Sequence, residues 1–198
     1  MQKMKMGRSD EELMASCRDG DEGAFEILYR RYEKPIFSFI YRLVMSAADA
    51  EDLCQETFLR VVRAKKKYQA SGRFKTWLFQ IALNLCHDRL RRMKFRSHLS
   101  LDAPLSSPDC RDGQLEKSVA DPSSGPMKRA ETDEMKTLVQ QAFATLPQEQ
   151  RTVVVLKEYH ALKFSEIAEI MNCPIGTVKS LNYRGRQRLM ASLSKYMG

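Results

Sequence analysis

The chain has 198 residues, 43% of them hydrophobic, which is enough for one large domain or two small ones with packed cores. No apolar run approaches the roughly 20 residues of a membrane span, and the basic opening Met1–Gly7 leads into no apolar signal stretch; a cytoplasmic protein is expected, with no membrane insertion. The net charge of +8 is segregated: 12 acidic against 5 basic residues over 9–56, 12 basic against Asp88 alone over 59–96, and five basic with no acidic over 171–198.

Taken in chain order, nearly every segment shows helical period and none alternates like a strand, so the expected fold is all-α. Ser9 followed by Asp10, Glu11 and Glu12 reads as a helix start with acids complementing the dipole. Over 21–45 an apolar stripe runs through Phe25, Leu28, Tyr29, Tyr32, Ile36, Phe39, Ile40 and Leu43, and Pro35 is expected to kink or divide that helix. A third helix is predicted over 48–64, with Ala50, Cys54, Phe58, Val61 and Val62 on its buried face. A fourth is predicted over 74–95, buried along Phe74, Leu78, Ile81 and Leu85. From 97 to 126, seventeen of thirty residues are Ser, Pro, Asp or Gly, too polar to offset chain entropy by burial, and this segment is read as a flexible linker. Beyond it, helices are predicted over 129–144 (apolar Met135, Leu138, Val139, Ala142, Phe143), from Pro147 (Val153, Val154, Leu156, Tyr159), and over 164–171. After Asn172-Cys173, Pro174 opens a longer basic helix, giving a helix-turn-helix pattern in which Lys163 is a poor N-cap.

Two basic stretches behind an acidic front read as two phosphate-facing surfaces and a third surface for another partner. On the third helix, Asp52, Gln55 and Glu56 share a polar side, which would either dock a basic partner helix or be an ordinary solvated face. On the fourth, Arg73, Gln80, Asn84, His87 and Arg91 project away from the buried stripe as a row of guanidinium, amide and imidazole groups suited to phosphates and base edges. The loop before it carries Lys65, Lys66, Lys67 and Tyr68, cations to follow a backbone and a ring to stack an unpaired base. Trp77 is either a second stacking ring or a core or rim aromatic. The five cysteines are odd in number and widely spaced, without C-x-x-C, and the three histidines add no ligand spacing. No metal, cofactor or catalytic residue is expected, and the thiols read as buried or incidental. A nuclease would need clustered carboxylates or a metal site, and Asp88 stands alone in its basic segment. A free-standing operator-binding regulator would explain the C-terminal half and leave the first half without a role.

The segment Ala50-Glu51-Asp52-Leu53-Cys54-Gln55-Glu56-Thr57-Phe58-Leu59-Arg60-Val61 resembles the region 2 signature of bacterial sigma factors. Phe74 to Asn84 followed by Asp88-Arg89-Leu90-Arg91-Arg92 resembles the family's melting and −10 recognition segment. Leu146-Pro147, Glu149-Gln150-Arg151, Phe164–Met171 and Gly176-Thr177-Val178-Lys179-Ser180 resemble region 4. The order of these motifs, with no region 3 domain between them, is that of the extracytoplasmic-function (ECF) subfamily. The resemblance implies a region 2 bundle over 9–96, a linker over 97–128 and a region 4 helix-turn-helix domain over 129–196. It further implies a non-catalytic specificity subunit, monomeric when free, whose partners are core RNA polymerase (clamp helices and flap), promoter DNA and, in many relatives, an anti-sigma factor.

Residue by residue, it gives polymerase contact to Asp52, Gln55 and Glu56. It gives −10 contact to the 65–73 loop, with Lys66, Lys67 and Arg73 beside a flipped base received at Tyr68, and to Asn84; Trp77, Gln80 and Arg91 join that −10 surface from the reading of the helix face. It gives −35 groove contact to Thr177, Lys179, Ser180 and Arg184, and phosphate contact to Arg186 and Arg188. One departure stands out. Where the family usually shows Arg-Leu, this chain has Leu181-Asn182. Asn182 then takes the usual core position and Leu181 would face the DNA side: either the helix rotates locally or Asn182 is buried with a partner.

Overall fold

A computed structural model describes residues 7–68, 73–99 and 138–194. All regular structure among them is helical: α1 (Asp10–Arg18), α2 (Glu22–Val44), α3 (Ala47–Ala64), a 3-10 turn (Lys65–Lys67), α4 (Phe74–Leu99), α5 (138–144), α6 (Gln148–Glu158), α7 (Phe164–Met171) and α8 (Ile175–Ser194). Most of the expected linker, 100–128, and the start of the helix expected over 129–144, including Met135, lie outside the described residues.

Local signals explain the helix starts. Ser9 closes a capping box with Glu12, each side chain accepting from the other's backbone N–H. Asp21 caps α2 through the Ala24 N–H and Ser46 caps α3 through the Asp49 N–H. The start of α4 receives help from another helix, as the Phe74 N–H donates to the Glu11 carboxylate of α1 at 3.2 Å. Pro35 does not divide α2, which runs unbroken through it.

The helices α1 to α4 pack as a bundle whose centre is Leu13, Met14, Leu28, Ile36, Phe39, Phe74, Leu78 and Phe79, all fully buried. Each such side chain contributes about 1.5–3 kcal/mol by leaving water. Two expected core positions differ: Val62 is exposed and Ile81 only half-buried, while Thr57 takes the missing place on α3 by donating its hydroxyl back to the Leu53 carbonyl at 2.7 Å. The second unit closes α6, α7 and α8 over Val153, Leu156, Ile167, Ile170 and Val178. Tyr159, expected in that core, is exposed instead and lies under the Arg42 guanidinium of α2, 3.9 Å from its ring centre.

The two units are in contact. The buried apolar cluster continues from one into the other, with α4 against α7 and α2 against α6. The Arg151 guanidinium spans the second junction, donating to the carbonyls of Leu43 (3.2 Å), Ala144 (2.9 Å) and Leu146 (3.2 Å). A cation at the end of α2 also suits its helix dipole.

Candidate nucleic-acid interface

The bundle places the acidic-amide patch on the outer side of α3. Asp52 and Gln55 are exposed there, while Glu56 is half-buried and holds Arg60 at 3.0 Å one helical turn on. Between α3 and α4 lies a charged cleft of about 260 Å³ where Asp49, Asp52, Glu56 and Asp88 face Arg60, Arg89 and Arg92. Arg89 is anchored by Asp49, which ties the two helices together beneath the patch. The cleft thus joins Asp52 and Glu56; Gln55 is exposed outside its lining.

On α4 the outward row is only partly as expected. Asn84, His87 and Arg91 are exposed, with Arg91 paired to Asp88 at 2.8 Å, whereas Gln80 is half-buried. At the head of the helix the rings form a closed cluster. Tyr68 is 9% exposed and lies 5.0 Å from Trp77 and 6.2 Å from Phe74, centre to centre, and Phe74 in turn meets Tyr32 at 5.6 Å. Trp77 is therefore a half-buried rim aromatic packed beside Tyr68. Lys66 and Lys67 are exposed on the 3-10 turn just before. Arg73 is exposed and engaged by Glu166 of α7. No sequence signal linked those two positions.

In the second unit, α7 and α8 are joined by a tight turn in which Asn172 adopts the left-handed conformation (φ 49°). Lys163 provides no side-chain cap to α7; its own N–H donates to the Glu166 carboxylate at 2.7 Å. Along α8, Val178, Asn182 and Gly185 face inward, leaving Thr177, Lys179, Ser180, Arg184 and Arg188 exposed on the other sides. Arg186 is exposed too and meets Glu158 at 3.5 Å.

At 181–182 the structure buries Asn182, but without the partner that burial was expected to bring. Asn182 is 8% exposed, its Oδ1 has no hydrogen-bond partner in the protein, and Leu181 is half-buried against the core. Close helix approach accompanies it, because a Cβ built on Gly185 would stand 2.8 Å from Val154 Cγ2.

Of the thiols, Cys17, Cys54 and Cys86 are free and buried, and burial pushes the Cys86 thiol up to about 12; Cys173 is free and half-exposed. Cys110 lies outside the described residues. Among the described residues no group of three or more His, Cys, Asp or Glu side chains is placed to hold a metal. None of the described helices is long and apolar enough to cross a membrane.

A helical bundle with a basic outward helix, followed by a helix-turn-helix unit with a basic second helix, defines a two-part, all-α DNA-binding protein. Its sequence matches Sigma-70 region 2 over residues 28–96 and Sigma-70 region 4 over 136–189. It is 35% identical to the ECF RNA polymerase sigma factor SigW of Bacillus subtilis, covering 89% of this chain and 92% of that one. It is 31% identical to the RNA polymerase sigma-H factor of Pseudomonas aeruginosa over 93% of both chains, and 30% identical to the ECF RNA polymerase sigma-E factor of Escherichia coli over 91% and 92%. Among solved structures it is similar to CnrH in its complex with the cytosolic domain of CnrY (TM-score 0.68, 20% identity, 95% and 99% of the two chains). It is also similar to RpoE of Bartonella quintana bound to the anti-sigma factor NepR (TM-score 0.67, 22% identity, 86% and 96%). The chain belongs to the sigma-70 family of RNA polymerase sigma factors, in its ECF branch, and so serves transcription initiation.

Proposed function

We propose that this chain docks on core RNA polymerase through α3, reads and opens the −10 element with the 3-10 turn and α4, and reads the −35 element with α8. The observation that carries this reading is the presence, in one chain, of two separate outward cationic helix faces and a third acidic one. The α4 face offers Asn84 and Arg91, and the α8 face offers Lys179, Ser180, Arg184 and Arg188. The α3 face offers Asp52 and Gln55 beside its charged cleft.

The division of labour follows from chemistry. Arginine and lysine on α8 fix the duplex by phosphate contact, and short polar side chains at its start reach base edges in the major groove. An amide on α4 can recognise the hydrogen-bonding edge of an unpaired base. Extruding that base costs a few kcal/mol of stacking, which stacking on the aromatic cluster and hydrogen bonds then offset. Nothing in this scheme requires bond chemistry from the chain itself; it acts as a non-catalytic specificity subunit in the cytoplasm. The domain limits that fit are 9–96 and 129–196. The structural neighbour RpoE, solved with the anti-sigma factor NepR, supports an anti-sigma protein as a further ligand of this chain.

Run-off transcription on a pool of promoter fragments, with core polymerase and with or without this protein, tests the reading. Initiation from a discrete subset of fragments is expected, and aligned start sites should share elements near −10 and −35. Operator-like binding to naked duplex, without polymerase binding or new transcripts, would overturn it.

A further inference from the structure

We propose that Phe95, near the end of α4, is a further promoter-reading residue that sets its ring against the 5-methyl of a thymine in the paired DNA just upstream of the −10 element. This rests on the −10 reading of α4 and extends it.

Phe95 is 67% exposed, the most exposed large apolar side chain among the described residues. The helix continues past it to Leu99, so its bearing is set by helix geometry. At about 100° per residue, Trp77, Asn84, Arg91 and Phe95 fall within about 40° of one another round the axis. The fully buried Ala82 and Cys86 lie on the opposite side, against the bundle. Met93, exposed as well, continues that buried side where the helix outruns its neighbours. Phe95 has no such explanation. It prolongs the outward row of Asn84 and Arg91, which the bundle never covers.

Charge and chain direction say what covers it. Arg91 and Arg92, one helical turn before the ring, are both exposed, and from 59 to 96 the chain carries 12 basic residues against Asp88 alone. A polyanion is the partner such a surface fits. The head of α4 carries the Tyr68–Trp77 cluster, assigned above to an unpaired base, and the chain leaving its tail runs on to the unit assigned to −35. The tail is therefore the upstream end, where the duplex is still closed. From Asn84 to Phe95 is about 16 Å of helix, room for about five base-pair rises of 3.4 Å. Arginine holds phosphate there, and the apolar group that a paired base shows in the major groove is the thymine methyl. A phenyl ring makes no hydrogen bond to a base edge and selects thymine by that methyl.

Uracil lacks only this group. On a promoter taken from the run-off pool, a T·A and an A·T pair are placed in turn at each of the five positions upstream of the −10 element, and each thymine is then replaced by deoxyuridine. Wild-type holoenzyme should lose about three- to fivefold in open-complex formation at one of these positions, roughly what burial of one carbon is worth. F95A should start from the lower value and respond equally to T and U, while F95L, still apolar, should keep most of the preference. Binding of F95A to core polymerase without DNA, and its thermal midpoint, should equal those of the wild type. Equal response to T and U at every position in the wild type, with −10 base changes still felt, overturns the Phe95 contact alone. Weaker polymerase binding or a lowered midpoint in F95A makes the ring a docking or packing residue and overturns it as well. A holoenzyme indifferent to −10 base changes overturns the −10 reading of α4 and this contact with it.

Discussion

At the scale of single residues, the inner face of α8 is where this chain departs most from what its helix would ordinarily bury. Asn182 occupies a core position with its Oδ1 unpaired, and the neighbouring α6 contributes a second buried amide oxygen, Oε1 of Gln150, in the same condition. A buried carbonyl without a donor costs about 1–3 kcal/mol, so Asn182→Leu should raise the stability of the helix-turn-helix unit by about 1 kcal/mol or more in urea denaturation. A lower midpoint would show that the amide is satisfied. Gly185, one turn on, sets the spacing. A Cβ there meets Val154 Cγ2 at 2.8 Å and the Gln150 Cβ and carbonyl oxygen at 3.4 Å. Valine in a helix has one strongly preferred rotamer and cannot swing aside. Gly185→Ala gains about 1 kcal/mol of helix propensity but incurs about 1–3 kcal/mol of overpacking, so a net loss is expected. A lowered thermal midpoint together with weakened −35 duplex binding is the expected result, and an unchanged midpoint would mean that α6 and α8 move apart freely.

At the scale of helices, α3 and α4 carry different tasks on adjacent surfaces, and the ion pair of Asp49 with Arg89 fixes one against the other. If the tasks are separate, so are the losses. Asn84→Ala should cost about 1–3 kcal/mol of discrimination among −10 variants in run-off transcription while leaving polymerase affinity unchanged. Asp52→Ala should weaken polymerase binding and lower transcription equally on every promoter. Equal loss on all promoters from Asn84→Ala would remove Asn84 from base reading. These helices were legible in the sequence because their signals are local. The apolar stripes of α2 and α4, the Ser9 cap and the turn before Pro174 each lie within one or two helical turns. The misplacements were also local. Val62 lies at the edge of the α3 stripe, where a shift of one residue decides exposure, and Thr57 could not be recognised as core because its hydroxyl is satisfied only once the helix has formed.

At the scale of the whole molecule, the contact between the units was not legible. Arg73 and Glu166 are 93 positions apart, and Lys75, His160 and Arg151 each look like solvated surface residues until the helices are assembled. That contact carries its own pH dependence. Burial first, then the positive charges of Arg42 and Lys75, push His160 down from an ordinary value of 6.5 to about 4, and its Nε2 is buried without a partner. Asp10 and Arg31 of the first unit line the same groove, about 520 Å³ in volume, and already pair with each other at 2.7 Å. In the closed chain His160 is neutral; once the units part it regains a value near 6.5. Above that pH neither state takes up a proton and closure is at full strength. As pH falls from about 6.5 towards 4, the open form binds a proton that the closed form refuses, and closure weakens. Glu166 adds little in this window, since its carboxyl lies below the usual carboxylate range and stays charged through most of it. The radius of gyration of the wild-type chain should therefore rise between pH 7 and pH 5, and His160→Leu, apolar at every pH, should suppress that rise. A rise of equal size in the His160→Leu variant would assign the transition to other groups.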